Sequence, residues 1–249
     1  MANVSLSVLF DHWPITPGAA AHGRLAALLR AAGAEADPLA ADTLGARNRR
    51  LIALHDDLVG GAIEAQVACA GCATANSFVV PKDVMRALPP AAPDALVGLS
   101  FREHELTYRV STMADIAAVG EEADLRLAML DRCAMGSDRV PAAELDRAAL
   151  EAIEARFDEI DPLANIVVGS ACSGCGMAIA ASVDLAAFVA TDLDRLHAIL
   201  LRDVDFLASA YGWSEADILA LPAERRARYV AMVADRRAAS PQRQRIRPI

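Results

Sequence analysis

Four of the five cysteines stand in two Cys-x-x-Cys pairs, Cys69-Ala-Gly-Cys72 and Cys172-Ser-Gly-Cys175, with residues 73–171 between them. A turn this tight presents two sulfurs from one loop. Glycine inside or just after the turn, here Gly71, Gly174 and Gly176, lets backbone amides approach those sulfurs. Two such loops supply four thiolates, the tetrahedral set that zinc prefers, and four cysteine ligands leave no open position for a catalytic water. Familiar zinc ribbons separate their pairs by about 15–20 residues. A longer insertion is tolerable because the entropy of closing a loop grows only slowly with its length.

The flanks of both pairs carry strand patterns. Ile63, Ala65, Val67 and Cys69 alternate with Glu64, Gln66 and Ala68, a half-buried strand that enters the first pair, and residues 77–80 leave it as another. Residues 166–168 enter the second pair, and residues 177–183 return from it. Asp83 and Asp184 are then placed to cap helices. Strand, cysteine pair, strand and capped helix thus occur around 62–88 and again around 165–210, a two-fold echo in pattern with little residue identity. One structural zinc held by Cys69, Cys72, Cys172 and Cys175 is the leading expectation. Rubredoxin-like iron, a redox pair and free buried thiols stay open, although a redox pair usually starts a helix after a strand, whereas strand residues follow each pair here. Cys133, on a helical face with Leu125, Met129 and Leu130, reads as an ordinary buried thiol.

The rest of the chain reads as helix. Of its 249 residues 55% are hydrophobic, many of them alanine, and only 4% are aromatic, so the core must come from Leu, Val and Ile on Ala-rich helices. Helical spacing marks 19–32, stopped by Gly33, and 43–59, stopped by Gly60-Gly61. The first 18 residues, with Pro14 and Pro17, read as an extended lead-in. A strand is expected over 101–110, with Leu106, Tyr108 and Val110 on one face. Thr112 and Asp115 have capping-box spacing, and a further helix covers 121–133. Pro141 is placed in the first turn of a helix bearing Leu145, Ala149, Ile153, Phe157 and Ile160. After Asp184 a long helix runs to about residue 210, and Pro222 opens the last one. The expected class is α+β, mostly helical, with two strand–CxxC–strand hairpins forming a zinc-ribbon-like unit among surrounding helices. The expected organisation is an N-terminal extension and helix (1–42), a core with both hairpins and an inserted helical section (43–190), C-terminal helices (191–235) and an Arg-rich tail (236–249).

The formal net charge is −9, yet residues 235–249 hold Arg236, Arg237, Arg243, Arg245 and Arg247 against one aspartate. An acidic body argues against a general nucleic-acid binder, and the tail reads first as a solvated end. Lys82 is the only lysine, which reads as compositional bias with little bearing on mechanism. No basic leader precedes the first apolar residues and no apolar run is long enough to span a membrane, so a soluble, cytoplasmic protein is expected. The five histidines, His12, His22, His55, His104 and His197, have no metal-site spacing and read as surface or helix-face residues. P-loop, dinucleotide and nucleophile-elbow motifs are absent, and pairs such as Glu122 with Arg126 and Glu144 with Arg147 read as solvated helix faces. Neither a catalytic residue nor a small-molecule substrate is indicated. Tyr211-Gly-Trp213-Ser-Glu215 concentrates two aromatics in a chain poor in them. It is either a helix-to-helix corner, with Gly212 as C-cap and Ser214 as the next N-cap, or a partner-docking hot spot.

The run Ala210-Tyr-Gly-Trp-Ser-Glu-Ala-Asp-Ile-Leu-Ala-Leu221, with Arg225-Arg226 and Tyr229 after it, resembles the T4-type phage baseplate protein family. So do Leu51-Ile-Ala-Leu-His-Asp-Asp57 before the first cysteine pair and Val183-Asp-Leu185 after the second, within a resemblance covering about residues 45–235. The departures are Ala70 and Ser173 where the family's knuckle carries proline, and Ala73 where it carries glycine. The resemblance implies a non-enzymatic structural or assembly component of a contractile tail or injection-system baseplate. It implies baseplate or tail-tube proteins as partners, in the cytoplasm or within a tail-like particle. Tyr211, Trp213, Glu215, Arg225, Arg226 and Tyr229 are the residues expected to meet them. Two other readings remain: a zinc-ribbon adaptor or regulator binding protein or nucleic acid, and a Cys-x-x-Cys thiol oxidoreductase.

Overall fold

The computed structural model describes residues 4–13, 20–33, 36–119, 124–137 and 139–239. Pro14, Pro17, Glu122 and three arginines of the tail, Arg243, Arg245 and Arg247, lie outside them. The chain is α+β and mostly helical. In order it runs α1 (Leu6–His12), α2 (Ala21–Ala31), α3 (Ala36–Ala41), α4 (Leu44–Leu58), β1 (Glu64–Ala68), β2 (Ala75–Val79), α5 (Lys82–Ala87), β3 (Leu96–Phe101), β4 (His104–Arg109), α6 (Met113–Val119), α7 (Leu125–Cys133), β5 (Ala134–Met135), α8 (Arg147–Ile160), β6 (Val167–Ala171), β7 (Ala178–Ser182), α9 (Leu185–Tyr211), α10 (Glu215–Leu219) and α11 (Ala223–Ala239). Among the described residues these strands form three small antiparallel sheets: the hairpin β1-β2, the sheet β3-β4-β5 and the hairpin β6-β7. No helix among the described residues is long and apolar enough to cross a membrane.

The axis of the fold is α9. Asp184 caps it by accepting the Ala187 amide at 3.1 Å, and Gly212, at φ 68°, closes it in the left-handed conformation that costs glycine least. Leu185, Val189, Leu193, Leu200 and Leu207 recur along one buried stripe. The N-terminal part of that stripe joins Leu9, Trp13, Leu25, Leu28, Leu51 and Ile52 in the main core. The bases of both cysteine hairpins enter the same core through Ile63 and Val80, and through Ile166 and Val183. A second cluster packs β3-β4 on α7 and α8 around Val97, Leu106, Tyr108 and Ile153. A third, small one holds the end of α9 against α10 and α11 through Leu207, Ile218 and Val233.

Several sequence expectations change. The lead-in contains a helix, α1, capped by Ser5, and it buries Leu9 with Trp13 just after it. The strand expected over 101–110 is the second arm of a hairpin, turned at Arg102 with φ 54°, a conformation that no glycine marks in advance. Asp83 does not cap α5. Pro81 precedes that helix without a side-chain cap, and Asp83 pairs with Arg86 instead. Pro141 begins a short 3-10 turn, while α8 starts later under Asp146, which accepts the Ala149 amide at 2.9 Å. The boundary expected at residue 190 falls inside the unbroken α9. Arg126 pairs with Glu154, and Arg147 pairs with Glu151 rather than with Glu144.

Candidate metal centre

Each cysteine pair sits at the turn of its hairpin, and the two turns are built alike. The Cys69 amide donates to the Thr74 carbonyl at 2.9 Å and the Ala73 amide to the Cys69 carbonyl at 2.8 Å. Their counterparts are Cys172 to Met177 at 2.8 Å and Gly176 to Cys172 at 2.9 Å. At the bases, Val80 donates to Ile63 at 2.9 Å and Val183 to Ile166 at 2.8 Å. In both turns the residue after the second cysteine is left-handed, Ala73 at φ 60° and Gly176 at φ 75°. Inside the turns, Gly71 and Gly174 donate their amides to the Cys69 and Cys172 sulfurs at 3.4 and 3.3 Å. The echo in the sequence is therefore a repeat of one backbone design.

The two turns face each other and bring all four sulfurs within 4.8 Å of one another. The shortest separations cross between hairpins: Cys69 to Cys175 at 3.7 Å and Cys72 to Cys172 at 3.6 Å. A tetrahedron with metal–sulfur bonds of 2.3 Å has edges of about 3.8 Å, so the spacing suits a bound tetrahedral ion. All five cysteines are free thiols. Cys69 and Cys172 are buried against Phe78 and Ile179, whereas Cys72 and Cys175 face solvent, which puts the centre at the surface. The buried Cys133 stands apart from this group, its thiol pushed up to about 11 by burial.

Close contact explains the glycines. A Cβ on Gly174 would lie 2.5 Å from the Thr74 hydroxyl and 3.4 Å from the Cys72 sulfur, and one on Gly71 would meet the Met177 thioether at 3.1 Å. Each turn thus rests on the chain just after the opposite turn. A polar clamp crosses the same gap. The Asn76 carbonyl oxygen, on β2, accepts the Ser173 amide at 2.9 Å and its hydroxyl at 3.0 Å. The Asn76 amide nitrogen donates to the Thr74 carbonyl at 2.8 Å and reaches the Cys172 sulfur at 3.6 Å. Asn76 is buried and escaped the sequence reading, because its partners lie in the second turn and no local pattern announces them.

The electrostatics favour a cation. The Cys175 and Gly174 amides draw the Cys172 thiol down to about 6, against the effect of burial. The Thr74 hydroxyl and amide lower Cys72. Cys175 moves up to about 11: the Met177 amide favours its thiolate, but the Cys72, Cys69 and Cys172 sulfurs and burial together prevail. Thiols this close cannot all ionise unless positive charge sits among them, and a bound metal ion could supply it.

The other expected site residues lie elsewhere. Tyr211 and Trp213 stack at 4.5 Å, and Tyr229 meets both edge-on at 5.9 and 4.9 Å. Ser214 caps α10 by accepting the Asp217 amide at 3.2 Å, so the stretch forms a helix-to-helix corner. Glu215 and Arg225 are exposed, and Arg225 lies over the Tyr229 ring at 5.7 Å. Arg226 is corrected from surface to interior: it is 4% exposed and bound to Asp203 at 3.0 Å, which removes it from any docking face. His55 and His197, read as surface or helix-face residues, lie on buried faces of α4 and α9. The chain matches no protein-family model, no curated protein and no solved structure.

Proposed function

We propose that this protein is a non-enzymatic structural or assembly component of a contractile tail or injection-system baseplate, with one structural zinc held by Cys69, Cys72, Cys172 and Cys175. The observation that carries the metal reading is the meeting of four free thiols within 4.8 Å on two alike hairpin turns. When bound, the ion supplies a cross-link between hairpins whose cysteines are far apart in sequence, in the manner of a zinc ribbon. The turn amides hold the sulfurs, Asn76 orients the second turn, and Gly71 and Gly174 admit the close approach. Four thiolates leave no site for substrate or water, which suits a staple rather than a catalyst.

The baseplate reading rests on the resemblance carried by residues 45–235. The half-buried Tyr211, Trp213 and Tyr229, with Glu215 and Arg225 exposed beside them, offer the docking surface that it requires. Co-purification with tail-tube or baseplate proteins, weakened by Trp213→Ala with the fold intact, is the expected result. Recovery of the chain free of any tail protein from cells that assemble such particles would remove the baseplate assignment and leave the metal site standing.

A further inference from the structure

The base of the first hairpin is fastened by a polar network around Lys82. Lys82, the only lysine in the chain, opens α5 directly after β2, and its ammonium has three N–H donors. Three acceptors meet it: Asp56 Oδ1 at 2.6 Å, His55 Nδ1 at 3.3 Å and the Gly61 carbonyl. Gly61 lies just before β1, so one side chain ties both ends of the hairpin to α4. An arginine, with its planar fork, could not satisfy three convergent acceptors in this way. The His55 ring, fully buried, passes the connection on: its Nε2 donates to Asp192 Oδ2, on α9, at 3.2 Å. At the matching place after β7 stands Leu185, buried in the main core.

We propose that His55, Lys82 and Asp192 form an acid-released latch that holds the stem of the first cysteine hairpin on α4 and α9. Protonation of His55 would place an N–H on Nδ1, facing the ammonium it now accepts from. Lys82 must then withdraw and give up the Gly61 carbonyl. The charged groups around the ring are Asp56 on α4, Lys82 and Arg86 on α5, and Asp192 with its partner Arg195 on α9. Glu64 of β1 lines the polar cleft on the Asp192 side, where the hairpin meets α9. Burial, then the Lys82 charge, hold the imidazole below its ordinary 6.5, against the pull of Asp192 and Asp56. The fold therefore favours neutral His55. The latch is whole above about pH 6.5 and loosens as pH falls below that value. Ile63 and Val80 remain in the core, so the stem opens locally rather than unfolding the chain.

The test is amide hydrogen exchange on the metal-loaded protein between pH 7.5 and 5.5, corrected for intrinsic exchange, with bound metal measured in parallel. Residues 60–66 and 80–86 report the latch, and residues 165–184 serve as the internal control. Protection of the first set is expected to fall about tenfold per pH unit below 6.5, the slope for one proton, while the control stays flat. His55→Gln, a non-titrating side chain that can still donate and accept, removes the slope. Lys82→Met, which removes the repelled ammonium but leaves the ring buried, weakens it. A flat wild-type profile overturns the proposal, as does an unchanged slope in both variants. Equal loss of protection in the two hairpins also overturns it, because that pattern belongs to protonation of the shared thiolates.

Discussion

Gly174→Ala tests whether the two turns must touch for the centre to form. The new methyl would lie 2.5 Å from the Thr74 hydroxyl, 3.2 Å from Thr74 Cβ and 3.4 Å from the Cys72 sulfur. The hydroxyl can turn away only by giving up its contact with the Cys72 sulfur at 3.2 Å, and Cβ cannot turn at all. The turns must therefore separate by several tenths of an ångström, which stretches the 3.6 Å between the Cys72 and Cys172 sulfurs. Overpacking of this kind costs about 1–3 kcal/mol. Carried into metal binding, that is a loss of about 5- to 150-fold in affinity, to be read by competition with a chromogenic chelator for zinc. Thr74→Ala removes the obstructing hydroxyl, so the double variant should recover much of the loss and show coupling in a double-mutant cycle. Gly169→Ala is the control, because its methyl would meet only a carbonyl at 3.6 Å, an ordinary contact. Unchanged affinity in Gly174→Ala, or additive effects in the cycle, would refute the idea that the turns are pressed together at the metal.

Three further outcomes follow from other contacts. Ala73→Gly should stabilise the protein by about 1 kcal/mol in denaturant titrations, since Ala73 holds φ 60°, where an L side chain is strained and Gly176 stands in the matching turn. Asn76→Ala should weaken zinc binding by about 10- to 100-fold, as loss of an outer-shell partner typically does, and the cobalt-substituted protein should show altered thiolate-to-metal absorption; an unchanged spectrum would confine Asn76 to packing. Asp115 is held well below the usual carboxylate range by Arg109, against burial, with help from the Thr112 amide and hydroxyl. The fold favours its charged form, so its stabilisation is whole above about pH 4 and is lost as pH falls further; Asp115→Asn should flatten the acid limb of a stability–pH curve.

What could be read from the sequence follows the range of the interactions. The alternation that ends at Cys69, the capping pairs Thr112/Asp115 and Ser214/Asp217, and the Gly212 stop all involve neighbours a few residues apart, and each appears in the fold. The meeting of the two cysteine pairs is the leading expectation from sequence, because tetrahedral zinc takes four ligands, while the redox and free-thiol readings stay open there; the four sulfurs do cluster in the fold. The clamp and the latch are not legible in the sequence. Asn76 meets Ser173, and His55 meets Asp192, across segments whose approach is decided by α9 and the main core. The scarcity of lysine reads as compositional bias, but the three acceptors of Lys82 give a reason for an ammonium at that one position. The hairpin at Arg102 and the helix α1 were missed for a simpler reason: the turn has no glycine, and a helix as short as Leu6–His12 owes its stability to burial of Leu9 rather than to its own periodicity.

The central claim is that both cysteine pairs serve one metal ion. Elemental mass spectrometry of the purified protein, beside a Cys172→Ser variant, tests it most directly. The account predicts about one zinc per chain in the wild type and its loss in the variant, together with a fall in thermal stability. Absence of metal from the wild type, or a variant that keeps both its zinc and its melting temperature, would contradict it.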